Sequence, residues 1–241
     1  MNETMRLLTN RRTYRNFDQK YQLSDLDLQQ ILDAARQAPS WMNGQFYSVI
    51  VIKDEAIRKQ LIEWNPTNPH ILESSVFLLF LGDLQRTKMV SETYQKPYLV
   101  DETIESIIMA TTDAALALEN AVIAVDSLGL GSVVVGSIRK FSKEISELLE
   151  LPDFTLPLFG LSIGKPIVEM RVKPRLPEAT IVHYDKYQPY SYELIEAYDK
   201  TMEHFAEARE TKLWSQKFAD YFATKPIMVV DQVARLKKIV K

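Results

Sequence analysis

Two clusters of basic residues are the clearest candidates for chemistry in this sequence. Arg11, Arg12 and Arg15 stand within five residues of one another, beside the hydroxyl of Thr13. Guanidinium groups form paired hydrogen bonds to phosphate, so this arginine cluster predicts a site for a phosphate dianion, with a solvated basic patch as the alternative. Residues 171–175 carry three more cations within a proline-spaced connector. Together the clusters predict one anionic ligand that is bound from both ends of the chain.

A strand that ends at Gly136 and Ser137 is a second candidate for ligand contact. Residues 131–137 read Gly-Ser-Val-Val-Val-Gly-Ser, a β-branched run between glycines. Strand ends in sheets with helices often approach ligands, and their backbone amides can bond phosphate or ring heteroatoms.

Two other motifs lack the context that their chemistry needs. Residues 160–164 fit the GxSxG pattern of a hydrolase, but a nucleophile elbow requires a helix after the turn, and a Lys-Pro pair and an extended segment follow here. We therefore predict that Ser162 is a strand residue and keep hydrolysis only as a distant third function. His70 and His204 each precede a glutamate by three residues without the second histidine of HExxH, so no metal site is expected.

Composition excludes several further classes. The chain of 241 residues has a net charge of −3, so its overall field predicts neither nucleic acid nor an anionic membrane as a partner. It has no cysteine, which rules out disulfides, thiol nucleophiles and iron–sulfur clusters. Its seven glycines form neither GxGxxG nor a complete P-loop. No signal peptide or membrane span is predicted, and we expect a cytoplasmic protein.

Alternating helix and strand patterns must position these residues. The long apolar segment 101–128 predicts a buried helix that forms the spine of the fold. We predict a single domain over residues 1–241, with a C-terminal helical extension from about residue 185. Strands are predicted at 46–52, 75–81, 132–135 and 156–163, and helices at 24–38, 54–64, 101–128, 143–149, 192–210, 214–223 and 226–240.

Several motifs occur in the order seen in FMN-dependent nitroreductases. The chain resembles most the oxygen-insensitive NADPH nitroreductase and flavin reductase branch, whose members carry a similar stretch at 183–189. This resemblance implies an α+β fold, in which helices flank a mostly antiparallel central sheet, and a homodimer with FMN at each subunit interface. The matching segments are RRTYR (11–15), APSWMNGQ (38–45), LGLG (128–131), VVGS (134–137), LPLFG (156–160) and KPRLP (173–177).

The resemblance also implies roles for individual residues. The FMN phosphate and ribityl chain would be held by Arg11, Arg12, Thr13, Arg15, Lys173 and Arg175. The flavin would be contacted by Ser40, Gln45, Asn68, His70, Val134, Val135, Gly136 and Ser137, the last four through the backbone near the hydride-accepting nitrogen. Relatives often have glutamine at the position of Asn68. The loop that grips the 2′-phosphate of NADPH in close relatives is shortened here to Arg209 and Lys212, so the choice between NADPH and NADH stays open.

The chemistry implied by the resemblance belongs to the cofactor. In a ping-pong cycle, NADPH or NADH gives a hydride to the flavin, and a small-molecule acceptor such as a nitroaromatic, a quinone or free flavin then takes it. No side chain is expected to act as a catalytic acid or base. The alternative is a flavin-binding or storage protein of the same fold without turnover.

Overall fold

The computed structural model describes residues 1–206, 211–224 and 230–241. The chain divides into two compact units, Met1–Met170 with Met228–Lys241, and Arg171–Ile227. The single functional domain over 1–241 stays a prediction, because this division does not show which parts work together.

A four-stranded antiparallel sheet forms the centre of the first unit, in the order β1-β2-β4-β3. The two ends of each predicted strand lie within two residues of the ends of an observed strand. The antiparallel sheet with flanking helices confirms the predicted fold class. The strands are β1 Tyr47–Ile52, β2 Val76–Asp83, β3 Gly131–Val135 and β4 Thr155–Gly164. The helices of this unit are α1 Glu3–Asn10, α2 Asp25–Arg36, α3 Glu55–Trp64, α4 His70–Glu73, α5 Gln85–Thr93, α6 Glu105–Ser127, α7 Ser142–Leu148 and α10 Val230–Leu236.

Successive side chains of β2 face two different apolar layers, because side chains alternate across a strand. Val76, Leu78 and Phe80 pack with residues of α2 and α6 on one face. The intervening residues, Phe77 and Leu79 among them, pack with residues of α3, α4 and α7 on the other. Burial on both faces explains why the sequence of β2 is apolar without alternation.

The predicted spine is α6, which covers one face of the sheet. Ala114 and Ala117 are fully buried and allow close approach, whereas Ile108, and Ile104 just before the helix, are exposed. Among the described residues, α6 is the helix long and apolar enough to cross a membrane by length and composition, a test that the core helix of a soluble protein also passes.

The second unit contains α8 Tyr192–Phe205 and α9 Trp214–Ala223. Their aromatic side chains pack together, with Trp214 edge-on to Tyr198 at 5.6 Å and 4.9 Å from Phe218. The buried carboxylate of Asp199 accepts hydrogen bonds from the backbone and hydroxyl of Ser215 and so fixes the start of α9. Parts of the predicted helices 192–210 and 226–240 lie outside the described residues, at 207–210 and 225–229.

Candidate functional site

The arginine cluster follows α1 and continues beside the edge strand β3. The backbone N–H of Tyr14 donates to Ser132 O at 3.0 Å. The rings of Tyr14 and Phe17 lie over Gly131 and Gly164, where an added Cβ would come to 2.8 Å and 2.9 Å of these side chains. Because Gly131 at the start of β3 and Gly164 at the end of β4 have no side chains, the segment that contains Tyr14 and Phe17 can pack closely against the sheet. The arginine cluster is therefore held at the edge of the sheet.

Arg12 is positioned by two partners within the first unit. Its Nε donates to Tyr14 Oη at 2.7 Å, and its Nη2 lies 2.7 Å from Glu169 Oε1. The hydrogen bond to Tyr14, followed by the nearby negative charges, raises the pKa of Arg12. Arg11, Thr13 and Arg15 are likewise partly exposed, so the cluster can be reached from solvent.

Asp126, near the end of α6, faces the same cluster. Burial raises the pKa of Asp126 to about 6, and the positive charges of Arg11 and Arg12 oppose that rise. Above this pH the carboxylate is an anion beside the arginines and partly offsets their charge.

The raised pKa of Asp126 predicts a pH-dependent stability. In the unfolded chain the pKa is about 3.9, so the folded state binds the proton more tightly and loses stability as pH rises from about 4 to about 7. Asp126→Asn removes this loss. The free energy of unfolding of Asp126→Asn, measured relative to wild type, should therefore increase between about pH 4 and about pH 7 and stay constant above that range. The expected increase is on the order of 1 kcal/mol, because partial exposure of Asp126 reduces the effect. Urea titrations at several pH values measure this difference; a difference that stays flat with pH would contradict the assignment.

A buried carboxylate on α6, absent from the sequence-based predictions, organises the segment that contains Ser40 and Gln45. Asp113 is 1% exposed. It accepts hydrogen bonds from Ser40 Oγ at 2.6 Å, Phe46 N at 2.9 Å and Trp41 N at 3.2 Å. Ser40 Oγ in turn accepts from Gln45 N at 2.6 Å. Because its proton goes to Asp113, the Ser40 hydroxyl can only accept from a ligand.

The backbone of this segment takes up conformations that non-glycine residues adopt rarely. The φ angles are 51° at Met42, 55° at Asn43 and 52° at Gln45. Each such residue costs of order 1 kcal/mol and persists only where the surroundings impose it. The hydrogen bonds to Asp113 supply that constraint, and a single acid in the apolar run ATTDAALA was the signal that could have revealed it.

The structure brings Asn68, His70 and Ser137 together, while their contact with a flavin stays a prediction. His70 Nε2 lies 3.1 Å from Asn68 Oδ1, and Asn68 Nδ2 donates to Ser137 Oγ at 3.2 Å. Two residues that the sequence-based site lacked complete the group: Asn65 Nδ2 donates to Ser137 Oγ at 2.8 Å, and Ser162 Oγ lies 3.0 Å from His70 Nδ1.

Ser162 is a strand residue, as predicted. It lies within β4 and is 0% exposed. Although a histidine is adjacent, the hydroxyl is buried from solvent by the described residues, and residues 165–177, which directly follow β4, form no helix. The geometry therefore contradicts the hydrolase alternative.

An apolar side chain lies at the outer edge of the sheet, next to the strand end. Val134 is 41% exposed, whereas its neighbours Val133 and Val135 are buried. The next residue but one is Gly136, and the guanidinium of Arg139 packs against it: a Cβ added at Gly136 would lie 3.4 Å from the guanidinium nitrogens. Val134 thus offers an apolar surface close to the polar group at Ser137.

The second basic cluster belongs to the second unit. Arg171 is engaged locally: its guanidinium lies over the Phe205 ring at 4.2 Å and donates to Phe205 O at 2.5 Å, at the carboxyl end of α8. Arg175 donates to Lys173 O at 2.8 Å. The action of Lys173 and Arg175 on the same phosphate as the arginine cluster stays a prediction.

Of the two residues predicted for NAD(P)H, Lys212 is described and Arg209 lies outside the described residues. Lys212 Nζ lies 2.5 Å from Asp220 Oδ2, so part of its charge is already paired. It lines a cavity of about 770 Å³ in the second unit, together with Lys217 and Trp214.

The chain matches known proteins along its length. Residues 8–165 match the Nitroreductase family, and residues 173–240 match the Nitroreductase family, C-terminal domain. It is 37% identical over 229 residues to FMN reductase [NAD(P)H] of Bacillus subtilis, covering 92% of both chains. It is 32% identical to the oxygen-insensitive NADPH nitroreductase of Salmonella typhimurium, covering 92% of this chain and 90% of the relative. The solved structure of B. megaterium NfrA2 is similar, with a TM-score of 0.93, 32% identity and coverage of 100% and 99%.

Proposed function

Because the chain belongs to the nitroreductase family, we propose that it is an FMN-dependent oxidoreductase that uses NADPH or NADH to reduce nitroaromatics, quinones or free flavins. One observation carries the proposal. The segment with the arginine cluster bonds to β3 at Ser132, two residues before the exposed Val134, so cationic and apolar parts of one site lie along a single strand.

The residues present fit FMN. Three guanidinium groups suit a phosphate monoester. The exposed Val134 suits one face of a flat ring, and the hydroxyls of Ser40 and Ser137 suit its polar edges. When bound, FMN supplies the two-electron redox chemistry, which explains why the site needs no catalytic acid or base.

The side chains themselves bind and orient. The arginine cluster would neutralise the phosphate of FMN, and Lys173 and Arg175 are proposed for the same phosphate from the family resemblance alone. Asp113 holds Ser40 in place, and Val134 excludes water from the apolar part of the site. Arg209 and Lys212 remain the candidates for the 2′-phosphate of NADPH, and the pairing of Lys212 with Asp220 favours tolerance of NADH as donor.

We further propose that the protein is a homodimer in the cytoplasm. Ile108 and Leu116 on the exposed side of α6, with Ile104 immediately before the helix, form an apolar surface typical of a subunit interface. Sedimentation equilibrium at micromolar concentration tests the assembly; a monomer would contradict it.

An anaerobic absorbance titration of the FMN-loaded protein tests the activity. NADPH or NADH should bleach the flavin bands, and a nitroarene or quinone should restore them. Flavin that binds but stays oxidised with both donors would support the storage protein instead. Failure to bind FMN would contradict the proposal.

A further inference from the structure

A chain of hydrogen-bonded side chains crosses the first unit from β4 to the end of β3. It runs from Ser162 through His70 and Asn68 to Ser137, with Asn65 beside it. His70 is 2% exposed and Ser162 is 0% exposed. At buried positions the direction of each hydrogen bond is constrained, because a donor or acceptor without a protein partner cannot bond to water instead and costs free energy.

Ser162 sets the direction at the buried end. Within the part of the chain that the structure describes, its hydroxyl has one partner, His70 Nδ1 at 3.0 Å. The hydroxyl hydrogen therefore goes to Nδ1, which must act as acceptor, and the imidazole hydrogen is placed on Nε2. The opposite tautomer would donate to Ser162 and leave a buried hydroxyl hydrogen without an acceptor.

The amides carry this direction to the surface. His70 Nε2–H donates to Asn68 Oδ1, which turns Asn68 Nδ2 toward three acceptors: Asn65 Oδ1 at 2.9 Å, Thr67 Oγ1 at 3.1 Å and Ser137 Oγ at 3.2 Å. With its oxygen occupied in this way, Asn65 presents its own Nδ2 to Ser137 Oγ at 2.8 Å. Asn65 thus donates to the Ser137 hydroxyl, and Asn68 shares its two amide hydrogens among that hydroxyl, Asn65 and Thr67.

The outcome is a hydroxyl whose own hydrogen is directed to a ligand. Ser137 Oγ faces two amide nitrogens, Asn65 Nδ2 at 2.8 Å and Asn68 Nδ2 at 3.2 Å, and its hydrogen has no acceptor among the hydrogen bonds of the described residues. Ser137 is partly exposed. Ser40 is its opposite, because Ser40 gives its hydrogen to Asp113 and can only accept.

We propose that Ser162 and His70 are positioning residues that make Ser137 Oγ a dedicated hydrogen-bond donor to an acceptor atom of the bound isoalloxazine ring. This inference rests on the proposed function and extends it, since the family resemblance implied backbone contacts alone at Ser137. An oxidised isoalloxazine ring presents acceptors along its polar edge and at its reactive nitrogen, so a fixed donor there favours binding in one orientation.

The tautomer of His70 can be observed without any cofactor. Nitrogen-15 NMR of the apoprotein, which has three histidines, with His70→Gln for assignment, should show Nε2 protonated and Nδ1 unprotonated. Ser162→Ala removes the hydroxyl that donates to Nδ1, so Nε2 should stay protonated while the Nδ1 resonance moves toward that of an imidazole nitrogen without a hydrogen bond. A protonated Nδ1 in the wild type, or an Nδ1 resonance unchanged in Ser162→Ala, would overturn the proposal.

The donor role of Ser137 is tested by binding affinity. Ser137→Ala should weaken both FMN and riboflavin by about 5- to 20-fold, the loss expected for one buried hydrogen bond, because the contact is to the ring. Ser137→Thr keeps a hydroxyl and should bind within about 3-fold of wild type. Ser127→Ala, which removes an exposed serine hydroxyl on α6, is the matched control.

The outcomes separate the two proposals. If wild type binds FMN and folded Ser137→Ala binds it equally well, the donor role is wrong while the proposed function stands. If wild type binds no flavin, both fall. Thermal unfolding of the apoprotein reports whether Ser137→Ala folds; if it does not, Ser137→Cys, a weak donor of similar size, takes its place and should also weaken binding.

Discussion

Replacing Asp113 with alanine should lower the free energy of unfolding by about 2–4 kcal/mol and release the segment that holds Ser40. The carboxylate accepts one hydroxyl and two backbone hydrogen bonds in a site that is 1% exposed. Alanine leaves all three donors without an acceptor, and the left-handed residues of the segment lose the partner that constrains them. Urea denaturation measures the loss, and fluorescence titration with FMN should show weaker binding because Ser40 and Gln45 move.

Two variants separate the carboxylate from the loss of volume. Asp113→Asn keeps the shape but turns an amide N–H₂ toward donors, so its stability should fall between wild type and Asp113→Ala. Glu119→Ala, on the exposed side of the same helix, should change stability by less than about 0.5 kcal/mol. A loss below about 1 kcal/mol in Asp113→Ala, with unchanged FMN affinity, would contradict the organising role.

The buried elements were predictable because their signal is local. β2 and β4 are rich in large apolar residues. The predicted span 156–163 lies inside the observed Thr155–Gly164, whereas the predicted span 75–81 starts one residue before Val76–Asp83 and ends two residues before it. The start of the predicted helix 24–38 is also close to that of α2, because Ser24 caps this helix and its Oγ accepts from Asp27 N at 3.0 Å.

Elements without an apolar stripe were not predicted. α5 reads QRTKMVSET and buries none of its residues, so periodicity gave no signal. Its start is fixed instead by tertiary contacts: Asp83 Oδ1 at the end of β2 accepts from Gln85 N at 2.9 Å. Such a helix depends on a strand end that only the folded sheet supplies.

The site was predictable in its residue types and not in its connections. Asn65 and Ser137 are 72 positions apart, and their contact depends on strand order and register. Asp113 looked like one polar residue in a buried helix, because sequence periodicity shows that a residue is buried but not which backbone donors it meets.

Arg11→Ala is expected to weaken FMN binding by about 10- to 100-fold while changing riboflavin binding by less than about 3-fold. The expected difference arises because FMN carries a phosphate and riboflavin does not. Loss of one charge-assisted hydrogen bond to that phosphate would lower the affinity by a factor of this size. The loss should shrink as ionic strength rises, because Arg11 is partly exposed and its charge is screened. Fluorescence titrations with both flavins at two salt concentrations measure all of these quantities.

Arg36→Ala is the matched control, because it removes the same charge from an exposed position where Arg36 pairs with Asp33 at 3.3 Å. It should leave both affinities within about 2-fold of wild type. Equal losses of FMN and riboflavin in Arg11→Ala would contradict the phosphate assignment and place Arg11 against the ring or in the fold. Since Ser137→Ala should weaken both flavins alike, the two variants together divide the site into a part that binds phosphate and a part that binds the ring.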